Sequence, residues 1–281
     1  TPNTTMMRQG KLLRKNTQKT LSILIMNSQN KKFDVVINVG PNDMEIIKEQ
    51  VICTKKNIIG YRNIYLVTRC ESLKIKGCTT IHENVFPFTI HDIMKYNLFQ
   101  GKRNRHGWYL QQLLKLYAGI YIPNILERYL VIDADTFFLK PTNFIENDTC
   151  LYNTGTQYYD EYFVFLEKFE IGLKRFDEKI SGICHHMMFE TKYVKEIINK
   201  VESKFNKKFY TMFLESVNPK LKSGASEYEM YFNYMMIYHR KRIKLRKLEW
   251  KQGGHFKLSG ISDLSRYQFD YISSHWPFRR R

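Results

Sequence analysis

The stretch Tyr129-Leu130-Val131-Ile132-Asp133-Ala134-Asp135-Thr136 decides the fold. Four apolar residues in a row, with no polar side chain among them, read as a central strand of a parallel sheet covered on both faces. Two carboxylates follow at its carboxyl end, the edge where open α/β sheets bind their ligands. Upstream, Phe33 to Val39 reads as a second buried strand, stopped by the turn Gly40-Pro41-Asn42-Asp43. Asn63 to Thr68 reads as a third strand and Thr80 to Glu83 as a weaker fourth. Helical stretches separate them: about 43–57, with Asp43 at the capping position and Glu45 in the first turn; about 88–98; and 106–119. Strands alternating with helices predict an α/β, Rossmann-like fold with a mostly parallel sheet flanked by crossover helices.

The helix at 106–119 carries the clearest pattern. Leu110, Leu113, Leu114 and Tyr117 make a core stripe, and Trp108, Gln111, Gln112 and Lys115 a polar stripe of the same spacing. Further helices are expected at 191–205 and at 226–238, the latter opened by Ser226 with Glu229 three residues on, a capping-box signature. Arg242 to Leu248 alternates basic and apolar residues, as an edge strand does, and Gly253-Gly254 marks a turn. Residues 1–32 are polar and basic with little periodicity and read as an arm. No repeat or low-complexity linker divides the remainder. One domain, 33–281, is expected, with a nucleotide-binding half at about 33–140 and an acceptor-binding half at about 141–281.

The chain has 281 residues and a formal charge of +18. Such a balance favours acidic partners, whether nucleotides, nucleic acid, anionic glycan or a membrane surface touched peripherally. The run His239 to Lys247 adds six Lys or Arg in nine positions. No zinc-finger, helix-turn-helix or aromatic RNA-binding pattern accompanies this charge, so no nucleic-acid partner is obvious. The five cysteines, Cys53, Cys70, Cys78, Cys150 and Cys184, form no C-x-x-C and read as reduced thiols. No apolar run approaches the roughly 20 residues of a membrane span. The expectation is a soluble, cytoplasmic protein.

Asp133 and Asp135 are the candidate metal ligands. Hard carboxylate oxygens suit Mg²⁺ or Mn²⁺, and a divalent ion at this edge stabilises the negative charge that develops on a departing diphosphate. The segment Leu130 to Thr136 resembles the D-x-D strand of GT-A-type glycosyltransferases. Arg105 to Leu116 resembles the preceding helix in a group of bacterial and viral members. Ser226-Glu227-Tyr228-Glu229 and Ser274-His275-Trp276 resemble two further motifs of that group, so the likeness runs from about residue 33 to 278.

The resemblance implies transfer of a sugar from a nucleoside diphosphate donor, a UDP-sugar, to a glycan or other hydroxyl acceptor, with Mn²⁺ or Mg²⁺ as cofactor and a bacterial or viral origin. It implies His275 as a third metal ligand beside Asp133 and Asp135. For the nucleotide it points to Val39, Gly40 and Asn42 after the first strand, Thr68 and Arg69 after the second, and Arg105, Gln111 and Lys115 about the helix, with Asp133 also in reach. Glu227 is the expected catalytic base, with Glu229 as the alternative and Asp135 also in the reaction centre. His185, His186 and Trp276 are expected about the sugar and acceptor. Because adjacent strand residues face opposite ways, one histidine of the pair should face the sugar and the other the scaffold. Two readings compete: nucleic-acid binding driven by the charge, and a sugar nucleotidyltransferase, although Gly40-Pro41-Asn42-Asp43 poorly matches the Gly-rich, Arg-containing loop of such enzymes.

Overall fold

A computed structural model describes residues 33–96, 105–218, 220–221, 224–252 and 268–275, and the backbone of 99–100 and 103–104. The arm 1–32, the turn at Gly253-Gly254 and Trp276 lie outside the described residues. In chain order the elements are β1 (Phe33–Asn38), α1 (Ile47–Asn57), β2 (Tyr61–Thr68), β3 (Thr79–His82), α2 (Ile90–Met94), α3 (His106–Tyr121), β4 (Arg128–Ile132) and β5 (Thr136–Phe138). There follow β6 (Thr149–Asn153), α4 (Asp160–Glu167), β7 (His186–Glu190), α5 (Thr191–Phe205), α6 (Phe209–Ser216), α7 (Glu227–Tyr238), β8 (Ile243–Arg246), β9 (Trp250–Gln252) and β10 (Tyr271–Ser273).

The central sheet runs β7-β4-β1-β2-β3. Its strands are parallel except β7, which lies antiparallel on β4. Every residue of β1, β4 and β7 is buried, as the apolar run at 129–132 requires. Each such Val, Leu or Ile contributes about 1.5–3 kcal/mol by leaving water. The one acid in β1, Asp34, is compensated: Arg62 reaches it at 2.6 Å, and the amides of Asn63 and Leu126 donate to it. Val36 pairs with Val131, so two residues on, Asn38 comes level with Asp133 at the carboxyl edge.

A smaller sheet orders β9-β10-β5, with β10 antiparallel to β5. Ser273 pairs with Thr136, and Ser274 N–H donates to the Asp135 carbonyl at 2.8 Å. The C-terminal strand therefore runs beside the Asp133–Asp135 turn. β8 pairs with β6 at the edge of a third sheet, in accord with the expected edge strand.

Helix starts differ from expectation where side-chain chemistry intervenes. Pro41–Asp43 folds into a 3-10 turn, so α1 begins only at Ile47 and Asp43 does not cap it. α2 is a five-residue helix closed by a reciprocal Thr89–Asp92 capping box. α7 is capped by Ser226, whose hydroxyl accepts from Glu229 N–H at 3.2 Å. The Glu229 carboxylate does not return to the cap; it accepts from Ser181 Oγ–H, Gly182 N–H and Asn233 Nδ2–H.

All five cysteines are free thiols. Burial pushes Cys150 and Cys184 up to about 12, which leaves both protonated and unreactive at neutral pH. Among the described residues, no helix is long and apolar enough to cross a membrane.

Candidate active site

The carboxyl edge of β1, β2 and β3 opens into a hollow of about 340 Å³. The turn after β1 supplies Val39, Gly40 and Asn42; the end of β2 supplies Arg69; the start of α3 supplies Arg105, Trp108 and Gln111. Six of the residues singled out for a nucleotide are thereby brought to one cavity. Thr68 lines an adjoining hollow of about 390 Å³ that shares Val39, Arg69 and Glu83 with the first. The Arg105 guanidinium lies over the Trp108 ring, 4.1 Å from its centroid. Glu83, whose carboxyl is raised by burial against the pull of Arg69, meets Arg69 at 3.5 Å across the cavity wall. Gly40 has an ordinary φ of −82°, and an added Cβ would meet only Asp43, at 3.6 Å. Nothing within the chain demands glycine there, so any requirement for it comes from the cavity side.

The expected polar stripe of α3 divides. Trp108 and Gln111 line the hollow, while Gln112 and Lys115 are buried against α7. Lys115 does not project into the hollow as a sugar or ribose ligand would. Its ammonium sits 2.7 Å from Asp133 Oδ1 and 2.6 Å from Glu227 Oε1. Gln112 fixes the start of α7 by accepting from Glu227 N–H and donating to the Ala225 carbonyl. Tyr228 donates its hydroxyl to Asp133 Oδ1 at 3.0 Å and lays its ring under the Lys115 ammonium. Burial by itself lowers the Lys115 pKa, but the two carboxylates outweigh it and the net shift is upward. Burial raises the Glu227 carboxyl, against the pull of Lys115. At neutral pH the pair stays ionised, because separating it would strand a buried charge.

Asp133 and Asp135 bound a tight turn, with Thr136 N–H donating to the Asp133 carbonyl at 2.9 Å. Both side-chain contacts of Asp133 fall on Oδ1, and its side chain remains about one-fifth exposed (22%). Asp135 Oδ1 accepts from Ser273 Oγ–H at 3.2 Å. The antiparallel register carries His275 to the level of Ala134, beside both acids. Two carboxylates on the turn and an imidazole from the neighbouring C-terminal segment fit Mn²⁺ or Mg²⁺ in kind. Among the described residues, however, no three His, Cys, Asp or Glu side chains already converge as a metal centre. Asp133 is turned to Lys115 and Asp135 to Ser273, so gathering an ion requires these side chains to swing.

The two histidines meet overlapping surroundings, because His185 lies one residue before β7. His186 is enclosed by Phe138, Phe144 and Tyr271, on the scaffold side. The His185 ring lies 4.5 Å from that of Trp250, 5.1 Å from that of His275 and 5.9 Å from the same Tyr271. Burial lowers the His185 pKa to about 4, so its ring is neutral at pH 7. The His185 carbonyl accepts from Asp133 N–H at 2.9 Å, which ties the start of β7 to the acidic turn. Tyr228 was the residue that sequence reasoning passed over. Its place one residue beyond Glu227 in Ser226-Glu227-Tyr228-Glu229 is the one signal the sequence carries. The basic run at 239–247 becomes a 3-10 turn followed by β8, with Lys244 paired to Glu146 and Lys247 to Glu249.

The fold and site together define an α/β protein whose largely parallel sheet opens at its carboxyl edge onto a mixed-charge hollow flanked by an acidic turn. Within that class the chain belongs to a family of unknown function, DUF6492, whose model matches residues 17–257. No curated protein matches the sequence. Among solved structures it is similar to apo mouse xyloside xylosyltransferase 1, at 11% identity and a TM-score of 0.43, over 88% of this chain and 99% of that one.

Proposed function

We propose that the protein is a glycosyltransferase of the GT-A type, moving a sugar from a nucleoside diphosphate donor, a UDP-sugar, to a hydroxyl of a glycan or other acceptor with the help of Mn²⁺ or Mg²⁺. One observation carries the reading. Val39, Gly40, Asn42, Arg69, Arg105 and Gln111, chosen from sequence as nucleotide contacts, line a single hollow, and the strand that walls it ends level with Asp133. A crevice at the carboxyl edge of a parallel sheet is where this architecture holds nucleotides.

In this reading the nucleoside occupies the hollow and Arg69 and Arg105 attract its phosphates. Asp133, Asp135 and His275 hold the ion, which when bound stabilises the charge on the departing diphosphate. Lys115 offsets the charges of Asp133 and Glu227 until Asp133 swings from it to the ion. For Glu227 to accept the acceptor's proton, it must first exchange its contact with Lys115 for the acceptor hydroxyl. His185 contributes a neutral ring on the sugar side, and Trp276 follows the His275 ligand in sequence.

Hydrolysis of a panel of sugar nucleotides, followed by nucleoside diphosphate release, tests this. The expected result is turnover of one donor, abolished by EDTA, restored by Mn²⁺ and absent in Asp135→Ala. Turnover undiminished in EDTA would remove the metal from the account, and no turnover with any donor would remove the transfer reaction.

A further inference from the structure

We propose that the Lys115 ammonium is a built-in rival of the divalent ion, a reading that rests on the glycosyl-transfer function above. The ion reaches Asp133 only by displacing Lys115, and this exchange keeps metal affinity low until a nucleotide is bound.

The chain already fills a cation pocket of its own. The Lys115 side chain is only 5% exposed, and its Nζ meets three groups. Asp133 Oδ1 lies at 2.7 Å, Glu227 Oε1 at 2.6 Å and the centroid of the Tyr228 ring at 4.3 Å. Two carboxylates and an aromatic face are what a buried ammonium requires. Three elements build the pocket: α3 supplies the lysine, the end of β4 supplies Asp133, and the first turn of α7 supplies Glu227 and Tyr228.

Asp133 is the member that both cations need. Its Oδ1 accepts from the Tyr228 hydroxyl at 3.0 Å and from Lys115, which together occupy both lone pairs of that oxygen. An ion bound to this carboxylate at about 2.1 Å would stand against an ammonium held 2.7 Å from Oδ1. In a buried setting the repulsion between them is poorly screened. Glu227 makes the exchange possible. When Asp133 turns to the ion, Lys115 keeps Glu227 as its partner, so neither charge is stranded. Because the ammonium is tethered, it competes without the translational loss that a free ion suffers. A nucleoside diphosphate brings negative charge to the same edge and tips the exchange towards the ion, so nucleotide and metal load together. The rival reading makes Lys115 a support for Asp133, and the two readings predict metal affinity to change in opposite directions when the lysine is removed.

Titration of Mn²⁺ alone into the whole chain, with free ion counted by electron paramagnetic resonance, separates them. Lys115→Met should tighten Mn²⁺ binding at least about tenfold. Lys115→Met combined with Glu227→Leu removes one positive and one negative charge, so the local net charge stays that of the wild type. It should still tighten binding about three- to tenfold. Unchanged affinity in this double variant would mean a net-charge effect only, and weaker affinity would mean that Lys115 supports Asp133; either overturns the exchange. Glu227→Gln keeps the shape of the side chain and leaves Lys115 to Asp133 alone. It should weaken Mn²⁺ binding about threefold or more; unchanged or tighter binding would overturn the exchange even where the lysine variants fail to fold. The strengthening of UDP binding by Mn²⁺ should shrink in Lys115→Met. Failure of UDP to bind the wild type would count against the transfer reading, while the titration without nucleotide would still decide the exchange.

Discussion

Lys115 concentrates the electrostatics of the site, because one buried ammonium answers two carboxylates, Asp133 and Glu227, within 2.7 Å. Lys115→Met leaves two like charges facing each other in low dielectric. The expected loss of stability is about 3–5 kcal/mol in urea unfolding. Lys115→Met combined with Glu227→Leu should lose markedly less than the sum of the single changes, since the second removes one stranded charge. Equal or additive losses would show that the pair is not coupled. His185 adds a pH dependence of known sign. Its folded pKa is about 4, below the value of about 6.5 for an unfolded histidine. Between these values the unfolded chain binds a proton that the folded chain refuses. Stability therefore falls as pH drops from about 6.5 toward 4, with a slope of up to about 1.4 kcal/mol per pH unit from this residue. His186, also lowered by burial, adds a contribution of the same sign. Urea midpoints between pH 7 and 4.5 should fall less steeply in His185→Phe; an unchanged slope would mean that His185 is not buried as a neutral ring.

At the scale of elements, α3 must approach β4 and α5 closely for Lys115 to reach Asp133. Gly119 marks that approach: an added Cβ would fall 2.3 Å from Thr191 Oγ1 and 2.5 Å from the Tyr129 ring. Gly119→Ala should therefore destabilise by about 1–3 kcal/mol, although alanine is the better helix former by about 1 kcal/mol; a rise in thermal midpoint would contradict this packing. The strands β1 and β4, buried throughout, and β2, buried from Ile64 on, are legible in the sequence as largely apolar runs, and α5 is legible because its apolar residues keep a helical period. Less was legible where pairing is non-local. Nothing near Thr136 announces that β5 will pair with Tyr271–Ser273, well over a hundred residues away. Nor does His186–Glu190 reveal that it lies antiparallel on β4. In the site, the residues at strand ends were readable because the fold class names those positions. The burial of Lys115 was not, since a lysine on a polar helical stripe looks like a surface residue until α7 covers it.

For the whole molecule, the consequence of this arrangement is one continuous edge, running from the hollow at β1, β2 and β3 to the acidic turn after β4, with the C-terminal strand laid along it. A charge of +18 raises the local concentration of anionic ligands near that edge, so nucleotide association should weaken as ionic strength rises. The central claim is that a nucleoside diphosphate and a divalent ion bind there together. Calorimetric titration of UDP into the wild type and Asp135→Ala, with and without Mn²⁺, tests it most directly. The account predicts UDP binding that Mn²⁺ strengthens at least about tenfold in the wild type, a coupling of about 1.4 kcal/mol, and does not strengthen in Asp135→Ala. UDP binding identical with and without Mn²⁺ in both proteins, or none at all, would contradict it.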